Sequence, residues 1–267
     1  MAKPRILDFR EDVTNVLEGV YLAGTTMFMA EVPLVSCRCH LLGAFDQANP
    51  LVETVRGIEN ATFDRASASP LGQFYDMYQP ETLAEALGLT EDEATEELKR
   101  SPVGALAPAP WDAGPVLKRS GKKRSSSKRQ SSRLRSTDGS LYYGPAGETF
   151  IQKQIDKLTA LQTHAAVNGS EPGADFDFIH GSLLLTEQSH SIWISKGHLA
   201  LAVLAAAGYE TVPVVFGDKH HPHVIRREDA PFWALVQRKI FTQVQARRIF
   251  DQVLGARMSD PGEAYIH

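Results

Sequence analysis

Ser195-Lys196-Gly197-His198 has the make-up of a phosphate site. These residues stand between Ser191-Ile-Trp-Ile194, which alternates small polar with large apolar residues, and a wholly apolar run, Leu199 to Ala207, that stops at Gly208. That order predicts strand, tight turn and helix. A helix start presents backbone N–H groups without intrahelical partners and the positive end of the helix dipole, both of which stabilise an anion. Gly197 permits close approach to the backbone, while Lys196 and His198 add a cation and an imidazole N–H. A helix apolar all round must be buried. Thr211 to Phe216 is a β-branched run that reads as the next strand, and Pro213 points to an edge position.

Other groups have the residue types for chemistry but lack the spacing. Glu148, Glu171, Asp175 and Asp177 are candidates for a general base or a Mg²⁺ ligand near the turn, and Glu148 with His198 forms the catalytic candidate pair. Cys37-Arg38-Cys39-His40 offers three soft ligands within four residues, yet no second Cys pair exists to complete a Cys-rich tetrahedral site. Two cysteines on one buried strand face account for the same spacing. His220-His221-Pro222-His223 concentrates imidazoles in a polar segment, but zinc sites draw ligands from more than one element. The sequence therefore assigns no metal.

Elements must position these groups, and the totals bound what they can be. The chain has 267 residues, 43% hydrophobic and 22% charged, which suits a soluble globular protein of one large or two modest domains. Its start has no apolar signal region and no run approaches the ~18 apolar residues of a membrane span, so a cytoplasmic location is expected. Cys37 and Cys39 lie too close in sequence for an unstrained disulfide. The net charge of −4 hides an asymmetry: residues 118–135 hold nine Lys or Arg and no acid, leaving −13 for the remainder. Six serines and scarcely an apolar residue in that stretch predict a disordered linker over 116–137. It could bind nucleic acid weakly and non-specifically, but it lacks aromatics for base stacking, and a spacer is the preferred reading.

The linker divides the chain into an N-terminal region, 1–115, expected to be mostly helical, and a second body, 138–267. In the first, Leu71, Phe74, Tyr75 and Tyr78 fall at helical spacing behind a Ser69-Pro70 start. A second helix runs from Glu81 to Leu87, and Thr90-Glu-Asp-Glu93 reads as a capping box opening a third, acidic helix to about Lys99. Val16 to Leu22 and Met27 to Leu42 are apolar with mixed periodicity. Trp111, in a Pro/Ala stretch, is a candidate anchor. In the second body, Glu148 to Thr163 places Ile151, Ile155, Leu158 and Leu161 on one helix face. Phe176 to Thr186 and Ser191 to Ser195 read as a β-hairpin closed by Glu187-Gln-Ser-His190, and a last helix begins at Thr242.

Tyr143-Gly-Pro145, the amphipathic helix, the hairpin, the Gly197-His198 turn and the helix ending Ala207-Gly-Tyr209 before Val212-Pro-Val214 resemble, in that order, the ParB/sulfiredoxin-like domain. The closing Ile225-Arg-Arg-Glu-Asp229, Phe232-Trp233 and Ala246-Arg-Arg-Ile-Phe-Asp251 resemble the tail of a stand-alone bacterial branch often encoded among surface-polysaccharide genes. The resemblance covers residues 138–255. It implies an α+β fold with a small mixed sheet, and a nucleotide or phosphate held at Ser195, Lys196, Gly197 and His198. Activities in the superfamily include CTP-dependent DNA partition, sulfinic-acid reduction and amino-acid phosphorylation. This chain departs from the family turn: Lys196 stands at its first position, Leu199 at its second polar position, Ala200 where a phosphate-binding Arg is expected, and the reductase cysteine is absent. Alanine cannot supply the guanidinium fork. The expected function is therefore an accessory or regulatory protein binding a nucleotide, with Mg²⁺ where needed, or another phosphometabolite. A small-molecule kinase using His198 and Glu148 is the alternative. Non-specific DNA binding ranks third, because no helix-turn-helix segment follows the domain.

Overall fold

A computed structural model describes residues 5–103, 108–112, 140–170, 178–217 and 221–255. The basic stretch 118–135, the linker expected over 116–137, Glu171, Asp175, Asp177 and His220 lie outside the described residues. In chain order the elements are β1 (Ile6–Asp8), α1 (Val16–Ala23), β2 (Met27–Pro33), β3 (Cys37–Cys39), β4 (Gly43–Ala44), α2 (Pro50–Glu59), α3 (Pro70–Met77), α4 (Leu83–Ala86), α5 (Glu96–Arg100), α6 (Glu148–Asn168), β5 (Ile179–Leu185), β6 (His190–Lys196), α7 (His198–Ala206), β7 (Thr211–Phe216), β8 (Val224–Arg226), α8 (Ala234–Gln237) and α9 (Gln243–Gly255). The fold is α+β, built on one mixed sheet of eight strands among the described residues.

The strand order is β1-β2-β7-β5-β6-β3-β4. β6 runs antiparallel along β5 from His180 to Leu185, so β7 and β8 share the other side of that strand, β7 at Ile179–Gly181 and β8 at Leu183–Leu185. Because side chains alternate across a strand, the sheet buries two different faces. On one, Cys37, Cys39, Ile192, Ile194, Val212, Val214, Phe216 and Phe28 pack beneath α2, α3, α6 and α7. On the other, Trp193, Leu184 and Ile225 meet Trp111, Trp233 and the apolar sides of α4, α5, α8 and α9.

This arrangement corrects the division into two bodies. β2, from the N-terminal region, lies between β1 and β7, and β3 lies beside β6, so both halves of the chain build one sheet. That region, expected to be mostly helical, holds α1 to α5 and also supplies β1 to β4. Its strands show no clean alternation because Phe28, Met29 and Ala30 are all buried in succession. Pro213 is likewise not at an edge. Its strand runs between β2 and β5, but the β5 ladder covers only Val214–Phe216, and Pro213 stands just before it, where a missing N–H costs no ladder bond on that side.

Several helix starts follow the sequence closely. Ser69 caps α3 through Gly72 N–H with Pro70 in the first turn, whereas α4 is shorter than the Glu81 to Leu87 helix expected, starting at Leu83 because Thr82 caps it through Glu85 N–H. The Thr90 box does form, with Thr90 N–H donating to Glu93 Oε2 at 3.0 Å, but the helix itself waits for a second cap at Thr95 and spans only Glu96–Arg100. α6 runs past Thr163 to Asn168, where Gly169 at φ 64° ends it. Among the described residues, no helix is long and apolar enough to cross a membrane.

Candidate functional site

The turn expected to hold phosphate is present as strand β6, Gly197 and helix α7. Its interior is full. Gly197 adopts φ 90°, a left-handed conformation that side chains disfavour, and a Cβ there would stand 2.9 Å from Ile179 Cα. The glycine thus lets the neighbouring strand β5 come close. Ser195 turns its hydroxyl to the His180 carbonyl at 3.3 Å. Ala200, at the position where the family resemblance places an arginine, is buried.

His198 is only 7% exposed. Nε2 lies 3.0 Å from the Ile194 carbonyl oxygen, which requires the proton on that nitrogen, and Nδ1 is then the acceptor for the Tyr142 hydroxyl at 3.4 Å. Tyr142 also meets the imidazole edge-on at 5.5 Å, and the Phe45 ring stacks on it at 6.4 Å. Burial among these rings pushes the His198 pKa down to about 4; the Ile194 bond opposes that, and His40 adds to it. At neutral pH the group is an uncharged imidazole with both nitrogens engaged. It can neither offer a cation to phosphate nor pass a proton to solvent.

Glu148 is not turned to His198. Its carboxylate accepts from Ser67 N–H at 3.1 and 3.2 Å, tying the start of α6 to the N-terminal region. The sulfur candidates also separate. Cys37 and Cys39 lie on β3 with both thiols buried toward the α7 side, and burial pushes their pKa values up to about 12 and about 11. His40 sits at the opposite face, where Trp193 Nε1–H donates to its Nδ1 at 3.4 Å. His221 packs edge-on against the same indole at 5.3 Å and places Nε2 3.7 Å from Asp112 Oδ1. His223 instead has Nε2 3.0 Å from the Thr26 carbonyl oxygen and its ring 5.4 Å from Phe28. No group of three His, Cys, Asp or Glu among the described residues is placed to hold a metal ion.

No family model, curated protein or solved structure matches the chain. The turn also carries Lys196, which is exposed, and the start of α7, whose cap residue Gly197 contributes no side-chain hydrogen bond to the helix N–H groups. Those two features can bind an anion, and neither can activate a nucleophile.

Sequence reasoning missed the hub at Trp193. The indole joins His40, His221 and Trp111, which in turn stands edge-on to Trp233 at 5.3 Å and Phe250 at 5.7 Å. The anchoring role of Trp111 was readable from an isolated tryptophan in a Pro/Ala stretch. Its partners, supplied from beyond residue 190, left no local signal.

Proposed function

We propose that the chain is an accessory binding protein on a ParB/sulfiredoxin-like plan, and that its ligand is a small phosphorylated molecule, a nucleotide or phosphometabolite, met at the outer rim of the 195–198 turn. Backbone N–H groups at the start of α7 and the Lys196 ammonium are the donors. The observation that favours binding over phosphoryl transfer is the sealed state of His198: a buried, neutral imidazole bonded to Ile194 and Tyr142 is a structural pin. With Glu148 held by Ser67, neither member of the His198–Glu148 pair is turned toward proton transfer. The resemblance of the tail to the stand-alone branch supports a link to surface-polysaccharide metabolism as part of this reading.

The test is a thermal-shift panel of nucleotides and sugar phosphates, with and without Mg²⁺, run beside a phosphoryl-transfer assay. A ligand that binds only the folded state raises the midpoint. We expect one class to do so without turnover, and Lys196→Ala to weaken its apparent affinity roughly tenfold, the effect of one charge-assisted contact. Turnover in the wild type would establish the kinase alternative. Shifts that survive Lys196→Ala undiminished would remove the turn as the site.

A further inference from the structure

On the face of the sheet opposite α7, a groove of about 550 Å³ runs beside α9, lined by Arg227, Val244, Arg247, Arg248, Asp251 and Gln252. Residues three and four apart share a helix face, which brings the five lining residues of α9 together, and Arg227 arrives from the segment after β8. Three guanidinium groups around one groove repel one another unless each is matched. Arg227 grips Asp251 through two bonds, Nε to Oδ1 at 2.6 Å and Nη2 to Oδ2 at 2.7 Å. Arg248 pairs with Glu93, brought in from the other half of the chain. Arg247 is different. With the Gln243 amide turned so that its oxygen faces the guanidinium, the two terminal nitrogens of Arg247 share that oxygen at 2.8 and 3.1 Å, and its Nε is buried without a hydrogen-bond partner.

Two of the three cations thus have a carboxylate, while the third has a neutral amide and an unmade bond. We propose that this groove is a binding site for a phosphate monoester carried on a planar ring, the class that includes nucleoside monophosphates, with Arg247 as the phosphate-holding residue. Two phosphate oxygens match the Nε–Nη2 edge of a guanidinium, so turning Arg247 onto such a group supplies the acceptor its Nε lacks and replaces a neutral partner with a charged one. The groove is larger than a bare phosphate needs and within the ~300–1,000 Å³ span of small-molecule sites, so the ligand has a body beside its head. Val244, 79% exposed, and the aliphatic stems of the arginines offer that body an apolar wall. The guanidinium planes of Arg227 and Arg248, already fixed by their carboxylates, can stack on a ring. The site lies across the sheet from the 195–198 turn and does not depend on it.

The test is calorimetric titration of the full chain with phenyl phosphate, inorganic phosphate and an Asp/Glu-rich peptide as probes. Phenyl phosphate should bind, inorganic phosphate more weakly, and Arg247→Met should weaken phenyl phosphate binding about tenfold or more. Where Arg247→Met lowers the melting temperature, Val244→Asp serves instead, since it adds a negative charge at an exposed wall position and should weaken the same binding. Undiminished binding in a folded variant of either kind overturns the proposal. So does capture of the acidic peptide without phenyl phosphate, which would make the groove a protein-docking surface, and so does loss of phenyl phosphate binding in Lys196→Ala, which would return the phosphate to the α7 turn.

Discussion

The start of α7 and the flank of α9 are both helix surfaces next to the same sheet, and they handle polar groups in opposite ways. At α7 the imidazole, the glycine and the serine hydroxyl are each satisfied from within, by Ile194, Tyr142, Ile179 and His180. At α9 charged side chains stay near water, and one of them keeps an unmade bond. Chemistry needs bonding capacity that the fold has not already filled. By that measure, the residues with the more suggestive names sit in the more inert place.

Substitutions that break the sealed region should have the largest effects. Gly197→Val forces a β-branched residue into a left-handed conformation and drives its Cβ toward Ile179 Cα, so the fold should lose about 3 kcal/mol or more. Urea unfolding measures this directly. A ligand-specific loss in a normally stable Gly197→Val protein would mean the turn is open. His198→Ala should cost about 2–4 kcal/mol, since it leaves a small void and strips the Ile194 carbonyl and the Tyr142 hydroxyl of their partner.

The same histidine sets a pH dependence. Because the native imidazole holds its proton more weakly than the unfolded chain does, the unfolded state takes up more protons as pH falls. Its stabilising contribution is therefore complete above about pH 6.5 and is lost as pH drops toward about 4, a loss on the order of 2–3 kcal/mol. Stability measured across that window should fall in the wild type and flatten in His198→Gln. An equal slope in both would show that His198 is not sealed.

The other side of the comparison should respond more gently. Thr242 and Gln245 cap α9 reciprocally, Thr242 N–H to Gln245 Oε1 at 2.8 Å and Gln245 N–H to Thr242 Oγ1 at 3.2 Å, so Thr242→Ala should cost about 1 kcal/mol. Asp251→Asn removes half of a solvent-facing ion pair and should change stability by less than about 1 kcal/mol, with the change shrinking further in high salt. A loss as large as that of His198→Ala would mean that the α9 flank is as integral to the fold as the α7 turn.

Local pattern made some of this legible. The hairpin, the apolar helix after Gly197, the amphipathic run from Glu148 and the caps at Ser69 and Thr242 all declare themselves within a few residues, because alternation, helical spacing and capping act over that range. The cysteines at 37 and 39 on one buried strand face follow from the same period of two. Long-range pairing left no such trace. Tyr142 lies 56 residues before the histidine it meets, Trp193 lies 153 residues after the His40 it donates to, and Glu93 reaches Arg248 from the opposite half of the chain. His198 accordingly read as a donor awaiting a ligand when its partners were already in the fold.

The interleaving of the sheet has a consequence for synthesis. β2 pairs with β7, so Phe28 waits for Phe216 and Pro33 for Thr211 to leave the ribosome. At ~5–20 residues per second that delay is about 10–40 s, during which the strand has β1 on one side and a row of unsatisfied N–H and C=O groups on the other. A nascent chain in that state should be a chaperone client. Expressed alone, residues 1–112 should aggregate. Co-expressed with residues 140–267, they should become soluble as a two-piece complex, because the missing neighbours of β2 and β3 arrive in trans.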